Sequence, residues 1–346
     1  FRRVLFRSKR VINMQPNSVE EWIDLGNYYV YLEDYDQLES VMQQAVSAMP
    51  DSSDLYLFWG TALERDGRFE RAVEVYEGAL ERQPDNSDLY HYVGIALEQQ
   101  DLWEAAIARY REGIQQAGPS VELYLRWGIC LGQLARWDEA LSRYEAAWHI
   151  GPQEGQVWLQ WGIALQQLAR WDEALEKLNV AVPLLADDFN VLFYLGACYE
   201  QASRATQNGD YFRLAIETFQ KLIEADPEDA FALNYLGYMY AEKGIHLQEA
   251  VELLLRAIAI EPQNSAFLDS LGWAYYQLGE LDQAEQYLAQ SMEWMDEGDA
   301  EEAAVICEHA GDIAHAQGRS DDAQRYWRRA LEFDPDNGAL RAKLNN

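Results

Sequence analysis

The chain predicts an all-α solenoid of stacked helix–turn–helix repeats, and three observations carry that prediction. A glycine recurs at Gly26, Gly60, Gly94, Gly128 and Gly162, every 34 residues, and continues at Gly196, Gly237, Gly272 and Gly311. A fixed period of this length marks an array in which each small unit buries its apolar face against the next. Large residues stand four and one before each glycine and three after it, as in Trp22, Leu25 and Tyr29, or Tyr56, Trp59 and Leu63. Spacings of 3, 4 and 7 place them on one helical stripe. A second helix follows from the small residues Ala72, Ala106, Ala140, Ala174, Ala215, Ala250, Ala284 and Ala323. Pro50, Pro84, Pro152, Pro227, Pro262 and Pro335 then close units, because proline cannot continue a helix.

Taken in order, the first five units occupy 19–52, 53–86, 87–120, 121–154 and 155–188. The fourth and fifth carry WGICLGQLARWDEAL and WGIALQQLARWDEAL, near copies that point to a recent duplication. The sixth, 189–229, has about seven extra residues around 203–210, and the seventh, 230–264, has one near Ile245. The eighth, 265–303, is stretched after its second helix by the acidic run 293–302 (EWMDEGDAEE), and the ninth fills 304–337. Insertions are expected in loops, where added length costs little entropy. The last segment, 338–346, reads as a short C-terminal cap in which Leu340 and Leu344 cover the final apolar face. Ahead of the array, 1–8 reads as a translated sequencing-adapter scar and 9–18 as the tail of a truncated preceding repeat. The native start, with any signal peptide or upstream domain, is expected to be missing.

Composition narrows the partners. The formal net charge is −32, from 27 basic and 59 acidic residues. Such charge argues against nucleic-acid backbones and anionic membrane surfaces, and it steers basic partners in; it also keeps a repeat array soluble. No run approaches the roughly 18 apolar residues that span a bilayer, so direct membrane insertion is not expected. Cys130 and Cys198 occupy the small-residue position held elsewhere by Ala62, Ala96 and Ala164, and Cys307 replaces a large one. All three read as core thiols without a disulfide framework.

Phosphate-binding, dinucleotide, zinc-protease, serine-hydrolase and C-x-x-C motifs are all absent from the sequence. The fragment from Asp334 through Asp336 to Gly338 lacks the later ligands of a calcium loop. Glu308, Asp312 and His315 lie at i, i+4 and i+7 on one helix face, but no second cluster accompanies them. The residues therefore give no metal site, no cofactor and no active site.

Large aromatic, Leu-Gly, aromatic, Ala and Pro at this period closely resemble the tetratricopeptide repeat over 19–337, and the style of ALNYLGYMYAEKG and FLDSLGWAYYQLG resembles uncharacterised bacterial members. The resemblance implies a right-handed superhelix whose first helices line a concave groove while the second helices lie outside. On that frame the groove is lined by Leu57, His91, Ile95, Gln99, Leu125, Ile129, Gln133, Leu159, Ile163, Gln167, Phe193 and Gln201. Further along come Asn234, Tyr238, Asp269, Trp273 and Tyr276, with Glu308 and Asp312 beyond. The Leu/Ile strip either receives an apolar peptide segment, with the glutamines bonding its backbone, or is buried by curvature between neighbouring first helices. Aromatics beside carboxylates suit a Lys- or Arg-bearing segment.

Family members that clamp acidic chaperone tails use Lys, Arg and Asn where this chain offers Asn27, and Asp269, Glu308 and Asp312 would repel a carboxylate. The asparagine ladder of O-GlcNAc transferase arrays is replaced by Asp24, Phe58, Tyr92, Arg126, Gln160, Tyr194 and Tyr235. The expected function is a non-enzymatic scaffold for a protein or peptide with apolar and basic residues. Alternatives are the substrate-recruiting arm of an enzyme whose catalytic domain lies upstream, and self-assembly through the apolar strip. Localisation stays open between bacterial cytoplasm and an envelope-associated form.

Overall fold

The structure is a computed structural model that describes residues 18–344; the segment 1–8, the rest of the expected tail to 17, and the last two residues lie outside it. Nineteen helices and no strand occur among the described residues. They form two compact units that divide between Leu185 and Ala186. The first unit runs α1 (Val19–Tyr31), α2 (Tyr35–Ala48), α3 (Ser53–Arg65), α4 (Phe69–Leu80), α5 (Ser87–Glu98), α6 (Trp103–Ala117), α7 (Val121–Gln133), α8 (Trp137–Ile150), α9 (Gly155–Gln167) and α10 (Trp171–Leu184). The second runs α11 (Asn190–Thr206), α12 (Gly209–Ala225), α13 (Ala230–Lys243), α14 (Leu247–Ile260), α15 (Ser265–Leu278), α16 (Leu281–Trp294), α17 (Ala300–Ala316), α18 (Ser320–Phe333) and α19 (Gly338–Leu344). No helix among them is long and apolar enough to cross a membrane.

Every hairpin after the first closes on its glycine, while Gly26 is filled by Phe58 of the next first helix. The rings of Tyr76, Tyr110 and Tyr144 fill the space that a side chain at Gly60, Gly94 and Gly128 would take. A Cβ at Gly162 would stand 2.6 Å from Leu178 Cγ. Phe219, Leu254, Leu288 and Trp327 play the same part against Gly196, Gly237, Gly272 and Gly311. A large side chain from the second helix thus enters a slot cut in the first, and the fully buried alanines, such as Ala72, Ala106 and Ala140, let the helices close around it. The three cysteines are free and buried, as core positions require.

The turn inside each hairpin repeats as faithfully as the glycine. Glu33, Gly67, Asp101, Ala135 and Ala169, spaced 34 apart, all have positive φ, between 54° and 74°. The left-handed residue ends the first helix and redirects the chain within three residues. Side-chain caps start many helices: Asn264 Oδ1 accepts from Phe267 N at 3.2 Å, and Asp229 Oδ1 from Ala232 N at 2.9 Å. Carboxylates on the second helices, among them Glu70, Glu74, Glu81, Asp138, Glu139, Asp172 and Glu173, are exposed, as expected of outer helices.

Arginines stitch neighbouring second helices at a similar period. Arg71 meets Glu39 at 3.2 Å and Arg136 meets Glu104 at 2.9 Å, while Arg109 pairs with Glu77. In the second unit Arg319 meets Glu285 at 2.7 Å, and Arg329 pairs with Glu297 in the loop after α16. Exposed pairs contribute roughly 0–1 kcal/mol each, so the ladder fixes register more than it adds stability.

The extra residue near Ile245 lies in the turn between Lys243 and Leu247, as expected, but the longer departures are mostly helical. The extra residues of the sixth repeat lengthen both helices: α11 and α12 have 17 residues each, and only Gln207 and Asn208 lie between them. Gln207 takes the left-handed conformation at φ 58° and Ser203 Oγ donates to the Asn208 carbonyl at 3.1 Å. The acidic run likewise becomes helical from Ala300, so that α17 also has 17 residues and is capped by Asp299. At the C-terminal end, Leu340 of α19 is completely buried in a cluster with Cys307, Ala314 and Trp327, and Leu344 packs beside it.

Candidate functional site

In the first unit the expected groove residues share the first-helix face. Leu57 (α3), His91 and Ile95 (α5), Leu125 and Ile129 (α7) and Ile163 (α9) are half-buried, and Gln99, Gln133 and Gln167 are exposed. Leu57 and Leu125 also rest on the buried core. Leu159 departs from the expectation: it is 3% exposed and belongs to the interior. Its neighbours in the strip keep part of their surface.

Behind this face lies a buried polar network that the repeat pattern does not announce. Glu98, 7% exposed, accepts from Arg126 at 2.6 Å, from Cys130 Sγ at 3.3 Å and from the Tyr110 hydroxyl. A buried carboxylate is tolerated only when it is paired and hydrogen-bonded in this way. Burial, and then the Arg126 charge, pushes the His91 imidazole below its ordinary value. Its Nδ1 is buried without a hydrogen-bond partner.

The second unit contains a cavity of about 450 Å³. Four helices supply its walls: Glu200, Gln201 and Arg204 from α11, Asn234, Tyr235 and Tyr238 from α13, Ala266, Asp269 and Ser270 from α15, and Glu301, Glu302, Val305 and Ile306 from α17 with the cap residue Asp299. Four of the expected residues, Gln201, Asn234, Tyr238 and Asp269, therefore meet at one site. Burial pushes the Tyr238 phenol up to about 12, with Glu242 and Asp269 adding in the same direction. Phe193 does not line the cavity; its ring packs edge-on against Phe219 at 5.8 Å and Tyr235 at 5.7 Å. Trp273 lies outside it too, stacked between His309 at 4.1 Å and Tyr276 at 4.8 Å.

Asp269 needs correction as a free groove carboxylate. It is 4% exposed, and both its oxygens lie 2.9 Å from His309 Nδ1. Glu308 and Asp312, expected to face a partner, instead hold the chain's own Lys343, whose Nζ is 2.7 Å from each of them. Among the described residues no group of three or more His, Cys, Asp or Glu side chains is arranged to hold a metal. The repeat frame missed Glu200, Arg204, Tyr235, Asp299, Glu301, Glu302 and Val305. The departures from 34 residues were a signal for several of them, since Arg204 lies in the first stretched segment and Asp299, Glu301 and Glu302 in the second.

Helix hairpins closed on a periodic glycine and stacked through their first helices define a helical-repeat protein. Family models described as tetratricopeptide repeat match residues 23–87, 59–122 and 199–265, a second such model matches 246–295, and a third matches 304–337. The chain belongs to the tetratricopeptide repeat family. No curated protein sequence matches it.

Among solved structures it is similar to the APC/C hetero-tetramer Cut9–Hcn1, with TM-score 0.60 and 18% identity over 95% of this chain and 63% of that one. The chain thus spans under two thirds of that relative. It is also similar to the human IFIT1 dimer with PPP-AAAA, with TM-score 0.54 and 16% identity over 96% of this chain and 86% of that one. PilW, a type IV pilus biogenesis factor, gives TM-score 0.53 and 20% identity over 65% of this chain and 98% of that one. At these identities the likeness is one of fold.

Proposed function

We propose that the chain is a non-catalytic scaffold that holds a peptide or helix of a protein partner on the face made by its first helices. Membership of the tetratricopeptide repeat family supports protein interaction in general. The observation that carries the groove is the row of half-buried apolar side chains on successive first helices of the first unit, Leu57, Ile95, Leu125, Ile129 and Ile163. Partly exposed aliphatic side chains repeated along one face favour a partner that brings apolar residues of its own. The exposed Gln99, Gln133 and Gln167 beside them offer both donors and acceptors to an extended backbone. The strong acidity of the chain adds a preference for basic residues in that partner.

Affinity capture from a lysate of the source organism tests this, comparing the wild type with Leu125→Glu/Ile129→Glu. A protein retained by the wild type and lost by the variant, with the variant's helical circular dichroism and melting intact, is the expected result. Leu125 touches the core, so Ile129→Ser/Ile163→Ser serves as a milder second variant. Equal capture by all folded forms would overturn the groove.

A further inference from the structure

We infer that the cavity bounded by α11, α13, α15 and α17 is a subsite for one basic side chain, arginine or lysine, of the partner segment; this rests on the scaffold reading above. The carboxylates around the cavity divide into two groups. Glu200 is matched by Arg204, which also meets Glu242 at 3.0 Å, and Asp269 is matched by His309. At the opposite end Asp299, Glu301 and Glu302 have no cationic partner among the described residues: Asp299 accepts from the backbone N of Glu302 at 3.1 Å, and Glu302 accepts from the Ser265 hydroxyl. Negative charge is therefore uncompensated at one end only.

The wall polarity points the same way. Asn234 is a half-buried part of the wall, and its buried Oδ1 has no hydrogen-bond partner among the described residues. A ligand that compensates the end formed by Asp299, Glu301 and Glu302 must bring cationic N–H groups, and it must not bring an anion. Val305, 38% exposed beside the carboxylates, offers apolar surface for the aliphatic stem of a long cationic side chain. The volume, about 450 Å³, is enough for such a side chain and part of its backbone.

The same helix already displays this chemistry. Glu301, Val305, Glu308 and Asp312 fall at i, i+4, i+7 and i+11 of α17, which is one stripe. The C-terminal half of that stripe grips the ammonium of Lys343 at 2.7 Å, and the N-terminal half borders the open cavity. Two insertions far apart in sequence also converge here, one contributing Arg204 and the other Asp299, Glu301 and Glu302. Neutral variation of loop length gives no reason for both to reach one cavity.

The test pans a phage library of random 12-residue peptides on the full chain and measures the enriched sequences by fluorescence anisotropy. The enriched peptides are expected to share an Arg or Lys beside an apolar residue. Their affinity should fall about tenfold when that arginine is replaced by citrulline, or lysine by norleucine, and by a similar factor in Glu301→Gln/Glu302→Gln. Glu301→Gln alone, at an exposed position, should show part of the loss should the double variant fold poorly. No enrichment, enriched peptides without a basic residue, or affinities indifferent to these carboxylates would overturn the subsite. The lysate capture with Leu125→Glu/Ile129→Glu reads the scaffold proposal separately, so the two can fail independently.

Discussion

His309 on α17 meets both carboxylate oxygens of Asp269 on α15 at 2.9 Å, and the pair is sealed from solvent under the Trp273 ring. It joins two successive first helices by a contact that depends on a proton.

Burial lowers the His309 pKa, but the Asp269 charge and hydrogen bond outweigh it, with Asp312 and Glu308 adding to the same side; the net shift is upward. A raised folded-state value means that the stabilisation is fully present below the unfolded histidine's value of about 6.5 and is lost as pH rises through the higher folded one. His309→Gln leaves the Asp269 carboxylate buried without a cation, a change that costs roughly 3 kcal/mol. Thermal melts from pH 5.5 to 9 are expected to show a wide gap between wild type and variant at the acid end, narrowing towards the alkaline end. A gap independent of pH would mean that the imidazole is not charged in the fold.

Gly94 and Gly78 separate the two uses of glycine in a helix. A side chain at Gly94 collides with the Tyr110 ring, whereas one at Gly78 in α4 meets nothing within 4 Å. Gly94→Ala is expected to cost about 1–3 kcal/mol by overpacking. Gly78→Ala should stabilise by about 0.5–1 kcal/mol through reduced unfolded-state entropy. Urea midpoints of the two variants check the contrast, and equal shifts would refute the slot.

The repeat frame was legible because the 34-residue spacing holds over five successive intervals, from Gly26 to Gly196, and the same stripe recurs around all nine glycines. The slot at Gly94 and the alanine beside it follow from residue size alone. The burial of Leu159 does not, since Leu125 and Ile163 occupy equivalent or adjacent strip positions with like side chains and stay half-buried. The inserted residues of the sixth and eighth repeats were read as loops, yet most of them extend helices. Three to four residues make about one turn of 3.6, so each addition leaves the buried stripe in phase and the helices simply grow. Lys343 was illegible for another reason: it lies outside the period, and its partners Glu308 and Asp312 stand 35 and 31 residues away.

Ala135 and Ala169 hold the left-handed turn that Gly67 holds in the second repeat, each at φ 54°. That conformation costs an L-residue roughly 1–2 kcal/mol, and glycine's greater unfolded entropy returns part of the gain. Ala135→Gly is expected to stabilise by up to about 1 kcal/mol. Ala135→Val, with a branched Cβ at positive φ, should destabilise. A guanidinium titration of both would decide, and a neutral glycine variant would show that the turn carries no strain.

Asn234 distinguishes a residue kept for binding from one kept for the fold. Its buried Oδ1 finds no donor, and an unpaired buried acceptor costs about 1–3 kcal/mol. Asn234→Leu, with the same branched skeleton and free of that acceptor, is therefore expected to leave the melting temperature unchanged or higher. The same substitution should weaken the basic peptides selected on the cavity, because it makes a polar part of the wall they face apolar. Asn234→Asp should do the reverse: a buried carboxylate lowers stability while its charge tightens a guanidinium. A melting temperature that falls in Asn234→Leu with peptide affinity unchanged would make the side chain structural and remove it from the site.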